Sequence, residues 1–301
     1  MRWPSTVELM LLTTVLLWAL NLSVTKYILE HGFLPLPYAT VRYGLAGAIF
    51  VGLTLYAERS LRIHRRHLPL LGLAAVTLYL NQLSFVFALD LTTASTIGLV
   101  LGAIPIFAAL FGLVLGTERP TGRFWVAAAA SFVGVGLVAA GSSGGETDTS
   151  LAGILLGLST AATWAAYSVT VAPLMRTYTP SRMSAYVIPA AWVPITLTAI
   201  PQTSDQDWSL GWEIWVLLVF ATLGPLVLTN VLWFRSIHRI GANRATLAAN
   251  LQPFVAAVLA VILLSEPLGP LQIAGGVLIA AGILAVRRRA PATRAALESG
   301  P

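Results

Sequence analysis

Two stretches decide the fold: Leu101-Gly-Ala-Ile-Pro105-Ile-Phe-Ala-Ala, running on to Glu118-Arg-Pro120, and Ala249-Asn-Leu-Gln-Pro253-Phe-Val-Ala-Ala, running on to Glu266-Pro267. Pro105 maps to Pro253, Glu118 to Glu266 and Gly134 to Gly282, each 148 positions on, and Trp18 pairs with Trp164 at a similar distance. The chain therefore reads as a tandem duplication, with residues 1–145 as the first copy, 146–289 as the second and 290–301 as a disordered tail. A Gly/Ser/acidic loop from Ser142 to Ser150 joins the copies.

Working outward, 57% of the 301 residues are hydrophobic and 10% are charged, with a mean hydropathy of +0.81. An average soluble domain is about 25% charged, and it must cover its exterior with polar side chains. The simplest solvent for this chain is lipid. A spanning helix needs about 20 apolar residues, and ten stretches lack Asp, Glu, Lys and Arg: 9–25, 43–57, 68–89, 91–117, 124–145, 149–175, 183–204, 214–234, 245–265 and 267–286. The second belongs to an apolar segment that begins near Pro35 and is interrupted by Arg42. The runs are continuous rather than alternating, which argues against a membrane barrel. An all-α integral membrane protein of ten transmembrane helices is expected. The first run is too long for a signal-peptide core and lacks a small-residue cleavage site before Lys26.

Basic residues mark the cytoplasmic side of a membrane protein. Sixteen of the 18 fall on one side: Arg2, the run Arg59 to Arg66, Arg119, Arg123, Arg176, Arg182, Arg235, Arg239, Arg244 and the tail arginines. Only Lys26 and Arg42 lie near the other surface, whose loops carry Glu30, Asp90, Glu146, Asp148, Asp205, Asp207 and Glu266. Both termini are thus expected in the cytoplasm. With five spans per copy, the second repeat must be inverted relative to the first. Inverted repeats suit transporters, whose substrate site lies near the midplane at the repeat interface. Topology and attraction to anionic lipid account for the basic loops without nucleic acid.

At 1.5 Å per residue, span centres fall near Trp18, Tyr79, Pro105, Trp164, Pro225 and Pro253. Polar groups stand close by: Asn21, Gln82, Tyr167, Ser168, Asn230 and Asn250, with Trp233 beyond Asn230. Unsatisfied amides are expensive in hydrocarbon, so each of these either meets substrate or serves as an interhelical hydrogen bonder. Trp18, Asn21, Tyr79, Gln82, Trp164, Tyr167, Ser168, Asn230 and Asn250 form the candidate binding set. Pro105 and Pro253 each remove a donor inside a span, which implies a kink and, at symmetric positions, a hinge. The glycine pairs 98/102, 112/116 and 153/157 permit close packing within one protomer rather than dimerisation, so a monomer is expected. Arg42 paired with Asp90 or Glu30 gates the outer mouth or serves structure alone. No ionisable residue falls at the midplane, and the cargo is expected to be handled without a buried ion. The four histidines lie at span ends or in loops and give no proton relay.

The paired pattern of span proline, Glu-Arg-Pro or Glu-Pro and a following Gly-rich span resembles the EamA family of the drug/metabolite transporter superfamily, over residues 5 to 288. Trp18, Lys26 and Arg42, with Pro35 and Pro37, fit its first repeat, and within it the chain resembles YddG-like amino-acid exporters. The resemblance implies a ten-helix inverted-repeat bundle around a central cavity, in the cell inner membrane, exporting amino acids or similar small metabolites by alternating access. A sugar-phosphate or nucleotide-sugar exchanger and a channel-like facilitator are the alternatives; the first should demand a central Lys or Arg. No enzyme is expected. Gly141-Ser-Ser143-Gly-Gly145 fits G-x-S-x-G only in a polar loop without strand-turn-helix context, no H-E-x-x-H or metal cluster occurs, and the absence of cysteine removes thiolate chemistry. No cofactor and no metal are implied, and the Asn21-Leu-Ser23 sequon lies inside a span.

Overall fold

The computed structural model describes residues 6–116, 122–142, 150–240, 249 and 251–287, and among them every regular element is helical. The first three helices are α1 (Thr6–Glu30), α2 (Pro35–Glu58) and α3 (Leu68–Leu91). Next come α4 (Ala94–Val100) and α5 (Ile104–Val114), joined by a 3₁₀ turn at Leu101–Ala103, and then α6 (Gly122–Ser142). The second half holds α7 (Leu151–Val171), α8 (Pro180–Asp205), α9 (Trp212–Thr222) and α10 (Thr229–Ile240). A π-helical stretch at Leu223–Leu228 links α9 to α10. Last are α11 (Gln252–Leu264) and α12 (Pro270–Arg287).

Eight helical segments are long and apolar enough to cross a membrane. The ninth and tenth expected stretches give shorter apolar helices, Gln252–Leu264 and Pro270–Gly282, while positions 245–248 and 250 lie outside the described residues. Leu12, Leu16, Leu73, Leu197, Val258 and Ile262 expose large apolar side chains. Such faces are a liability in water and match lipid.

Helices pair across the two halves of the chain: α2 with α8, α6 with α12, α3 with α7, α1 with α9–α10 and α11, and α4 with α11. Small residues make these contacts close. A β-carbon at Gly98 would stand 3.0 Å from the Ala256 Cβ, and one at Gly153 would stand 3.0 Å from the Leu91 carbonyl. Gly157 faces Ile97 and Val100 in the same manner. These glycines therefore serve packing inside the chain. Across α3 and α7, Asn81 Nδ2 donates to the Thr160 carbonyl at 2.9 Å and Thr160 Oγ1 donates to Ser84 at 3.1 Å. These polar groups are thus satisfied between helices.

Chain ends of the helices carry their own locks. Gln206 Oε1 accepts from Leu34 N at 2.7 Å and Gln202 Oε1 from Leu36 N at 3.0 Å, which ties the α1–α2 turn to the end of α8. On the opposite side Arg182 forms an ion pair with Glu58 at 2.6 Å. After α11 the backbone turns left-handed at Ser265 (φ 54°), and Glu266 swings its carboxylate onto the start of α4. Glu266 Oε1 accepts from Ala94 N and Oε2 from Ser95 N, each at 2.8 Å. The first amides of a helix have no internal partner and carry the positive end of its dipole, so a buried carboxylate there satisfies both demands. This explains the Glu-Pro of the second repeat as a cap on the first. Glu266→Gln removes the charge from both bonds and sets an NH2 donor against one of the two backbone N–H groups, and thermal unfolding in detergent should register a loss of about 2 kcal/mol.

Candidate functional site

Three backbone interruptions meet at one cavity. The 3₁₀ turn Leu101–Ala103 precedes Pro105, the π-helical stretch holds Pro225, and Leu251 precedes Pro253. Pro105 and Pro253 each stand in the first turn of a new helical segment, α5 and α11. Around Pro105 the 3₁₀ turn joins α4 and α5 into one span, Ala94–Val114, so the proline's missing N–H falls where the α-helical ladder is already interrupted. The surrounding cavity measures about 720 Å³. Its wall includes Leu101, Gly102 and Pro105 from the first half, and Pro225, Gln252 and Pro253 from the second. It reaches toward the end of the bundle marked by Arg176 and Pro180.

Aromatic rings close its other end. Trp18 meets Trp164 edge to face, with centroids 6.2 Å apart at 80°, and Trp233 at 5.2 Å and 54°. Trp164 in turn lies 5.6 Å from Tyr167. Edge-to-face pairs of this kind are favoured by the ring quadrupoles. The Trp18 indole Nε1 donates to Thr229 Oγ1 at 2.9 Å, and Thr229 donates to the Pro225 carbonyl at 2.5 Å. That carbonyl belongs to the π-helical stretch, so the chain of bonds fastens α1 to the interrupted span. Ser168 Oγ spends its proton on the Trp164 carbonyl at 2.8 Å, which leaves its oxygen free to accept.

Of the expected binding set, Trp18, Trp164, Tyr167, Ser168 and Asn230 line this cavity, as do Pro105 and Pro253. Tyr79 and Gln82 do not; Gln82 is buried elsewhere, and its Nε2 has no hydrogen-bond partner. Asn250 lies outside the described residues. Thr229 and Gln252 were missed. Their signals were present, one turn beyond Pro225 and immediately before Pro253.

Arg42 also departs from expectation. It makes no ion pair with Asp90 or Glu30. Glu30 pairs with Lys26 at 3.3 Å, Lys26 also donates to the Leu89 carbonyl at 2.9 Å, and Asp90 is exposed. Arg42 is 4% exposed and donates to Asn21 Oδ1 at 3.0 Å and to the Ala221 carbonyl at 3.2 and 3.3 Å. Its Cζ lies 5.8 Å from the Tyr38 ring centroid. Seven residues from the start of α2, it sits about 10 Å inside the bundle. A pairing at the outer mouth is replaced by a buried cation held by neutral oxygens.

The EamA-like transporter family matches residues 5–140 and again residues 151–288. The chain belongs to that family. With its apolar helices, it is a multi-pass membrane transporter of the EamA type. Similar proteins include the uncharacterized transporter YwfM of Bacillus subtilis (strain 168), 27% identical over 84% of each chain. The uncharacterized transporter YyaM of the same strain is 22% identical over 92% of each. A protein of Streptantibioticus cattleyicolor named as a probable terminal-alkyne amino-acid exporter is 27% identical, over 90% of this chain and 93% of its own. A crystal structure covering 94% of this chain and 96% of its own superposes with a TM-score of 0.64 at 20% identity, which shows a shared fold.

Proposed function

We propose that this EamA-type transporter exports neutral or aromatic amino acids, or small metabolites like them, across the cell inner membrane by alternating access. The observation that carries the reading is the cavity itself. Its 720 Å³ lies in the range of small-molecule sites, with mostly apolar walls and a few convergent polar groups. Trp18, Trp164 and Trp233 offer ring faces to an ammonium or an apolar side chain, and Ser168 and Asn230 offer hydrogen bonds. The name of the Streptantibioticus cattleyicolor relative points the same way.

Alternating access rests on an inverted repeat of five spans, residues 1–145 and 146–289. The packing supports it. Under the 148-residue offset, the pairing of α1 with α9–α10 becomes the pairing of α7 with α3, and α2–α8, α4–α11 and α6–α12 each map onto themselves. The three interrupted segments around the cavity are where such a bundle would bend. The bias of basic residues toward one side supports a cytoplasmic position for both termini and for the mouth near Arg176.

The test is counterflow in proteoliposomes with a labelled panel of neutral and aromatic amino acids, run with and without a pH gradient. Saturable flux is expected, and Trp164→Ala should reduce it roughly tenfold, the consequence of losing about 1.4 kcal/mol of ring contact. Asn250→Ala should also lower it. Absence of saturable flux for every amino acid would overturn the substrate class, and unchanged flux in both variants would overturn the site.

A further inference from the structure

The buried Arg42 has neighbours at its own depth. Asn21 and Gln82 each lie nine residues before the ends of α1 and α3, and Ala221 nine residues after the start of α9. At 1.5 Å per residue this places all three, with Arg42, about 10–14 Å from helix ends on one side of the bundle, where Gln206 ties the α1–α2 turn to α8 and Lys26 of α1 donates to the Leu89 carbonyl of α3. Asn21 stands one turn beyond Trp18 on α1. The layer therefore lies about one turn deeper than Trp18 of the cavity's tryptophan floor.

The layer is short of negative charge. Arg42 has no carboxylate partner among the described residues, and its guanidinium is met by an amide oxygen, a backbone carbonyl and a tyrosine face. Arginine keeps its charge at physiological pH and presents a planar fork of donors that fits a carboxylate. An uncompensated cation at this depth is costly, and such residues mark substrate paths. Gln82 Nε2, buried and without a partner, is a second donor in want of an acceptor.

We propose that Arg42 is the carboxylate receptor of the transport path, its guanidinium released by Asn21 and the Ala221 carbonyl to take the substrate's carboxylate as the tryptophan floor parts. This rests on the reading of the protein as an amino-acid transporter and adds the residue that selects for the acid group. The substrate would pass with its ammonium and side chain against the indoles and its carboxylate toward Arg42. Asn21 holds the guanidinium in place between turnovers, so Asn21→Asp would supply a permanent carboxylate and occupy the receptor from within.

The experiment compares phenylalanine with phenylalaninamide, and benzoate with benzamide, as inhibitors and as counterflow substrates of the wild type, Arg42→Gln, Arg42→Lys and Asn21→Asp. Charged hydrogen bonds of this type make the wild type favour acid over amide by about tenfold or more. Arg42→Gln and Asn21→Asp are expected to bring that ratio near one, with Arg42→Lys between. The ratio is independent of how much protein folds. Equal losses for acid and amide, with the ratio unchanged in Arg42→Gln, would overturn the proposal and leave Arg42 as a clasp between α1, α2 and α9. Discrimination between benzoate and benzamide without flux of any amino acid would sustain the receptor and overturn the amino-acid reading. Equal handling of acid and amide by the wild type would overturn the receptor alone.

Discussion

Trp18→Ala should abolish most transport, lowering the initial counterflow rate roughly a hundredfold, because three contacts that shape the cavity leave together. The ring sits between Trp164 and Trp233, and its indole N–H is the donor that fastens α1 to Thr229 and, through it, to the π-helical stretch. Two aromatic contacts contribute about 0.5–1.5 kcal/mol each beyond their buried area, and the hydrogen bond about 1 kcal/mol. Together these amount to about 2–4 kcal/mol, or one and a half to three decades of rate. Trp18→Phe separates the terms. It keeps a ring against Trp164 and Trp233 and removes only the donor, so its rate should fall about fivefold. Thr229→Val removes the acceptor instead and leaves a buried indole N–H alone, a costlier change than losing both partners at once. The double variant Trp18→Phe with Thr229→Val should therefore transport better than the sum of the single losses allows. A Trp18→Ala protein transporting at the wild-type rate would show that the aromatic floor is not on the substrate path.

The depth of the cavity residues was legible in the sequence, and their facing was not. Counting 1.5 Å per residue found the level at which Trp18, Trp164 and Pro225 lie, and all three line the cavity. The same count selected Tyr79 and Gln82, which do not. A helix that is apolar all round has no polar stripe to give its orientation, and α3 is of that kind, so depth fixed the level while neighbouring helices fixed the side. Asn21 was read as a cavity residue on the same ground and proved to be the oxygen that holds Arg42.

Arg42 was misplaced for a different physical reason. The start of the second span near Pro35 agrees with α2, but a charge inside an apolar segment reads as an interruption near the surface, and Arg42 is instead buried in the bundle. What permits the charge inside is tertiary: an amide from α1 and a carbonyl from α9 converge on it, far apart in the chain. The interruptions at Leu101–Ala103 and Leu251 were hidden in a similar manner. Proline alone announces either a kink or a first turn, and only the backbone before it tells which. The duplication was readable because identical residue types recur at one offset, and Gly134 with Gly282 shows what such matched positions accomplish.

Gly134→Leu should prevent stable folding, whereas Gly136→Leu, two residues away on the same helix, should not. A β-carbon at Gly134 would lie 2.7 Å from the Gly275 carbonyl oxygen and 2.8 Å from the Ile279 Cγ1. The obstacle is backbone on the opposing helix, which cannot rotate away as a side chain can. Gly282, the matched position, meets the Ala127 carbonyl at 2.7 Å, so α6 and α12 touch backbone to backbone at both ends of one seam. In lipid there is little hydrophobic force to hold helices together, and close approach through small residues supplies the packing instead. Gly134→Ala is expected to cost about 1–3 kcal/mol, the usual penalty of an added methyl in a packed interface, and leucine should separate the helices altogether. A β-carbon at Gly136 meets nothing within 4 Å. Leucine there gains helix propensity of nearly 1 kcal/mol and points into lipid. The measurement is the unfolding midpoint in detergent together with counterflow per folded molecule. Gly134→Ala should lower the midpoint while leaving the flux of the folded fraction within about twofold, since the seam lies apart from the cavity wall. A flux loss with an unchanged midpoint would instead mean that the α6–α12 seam moves during transport.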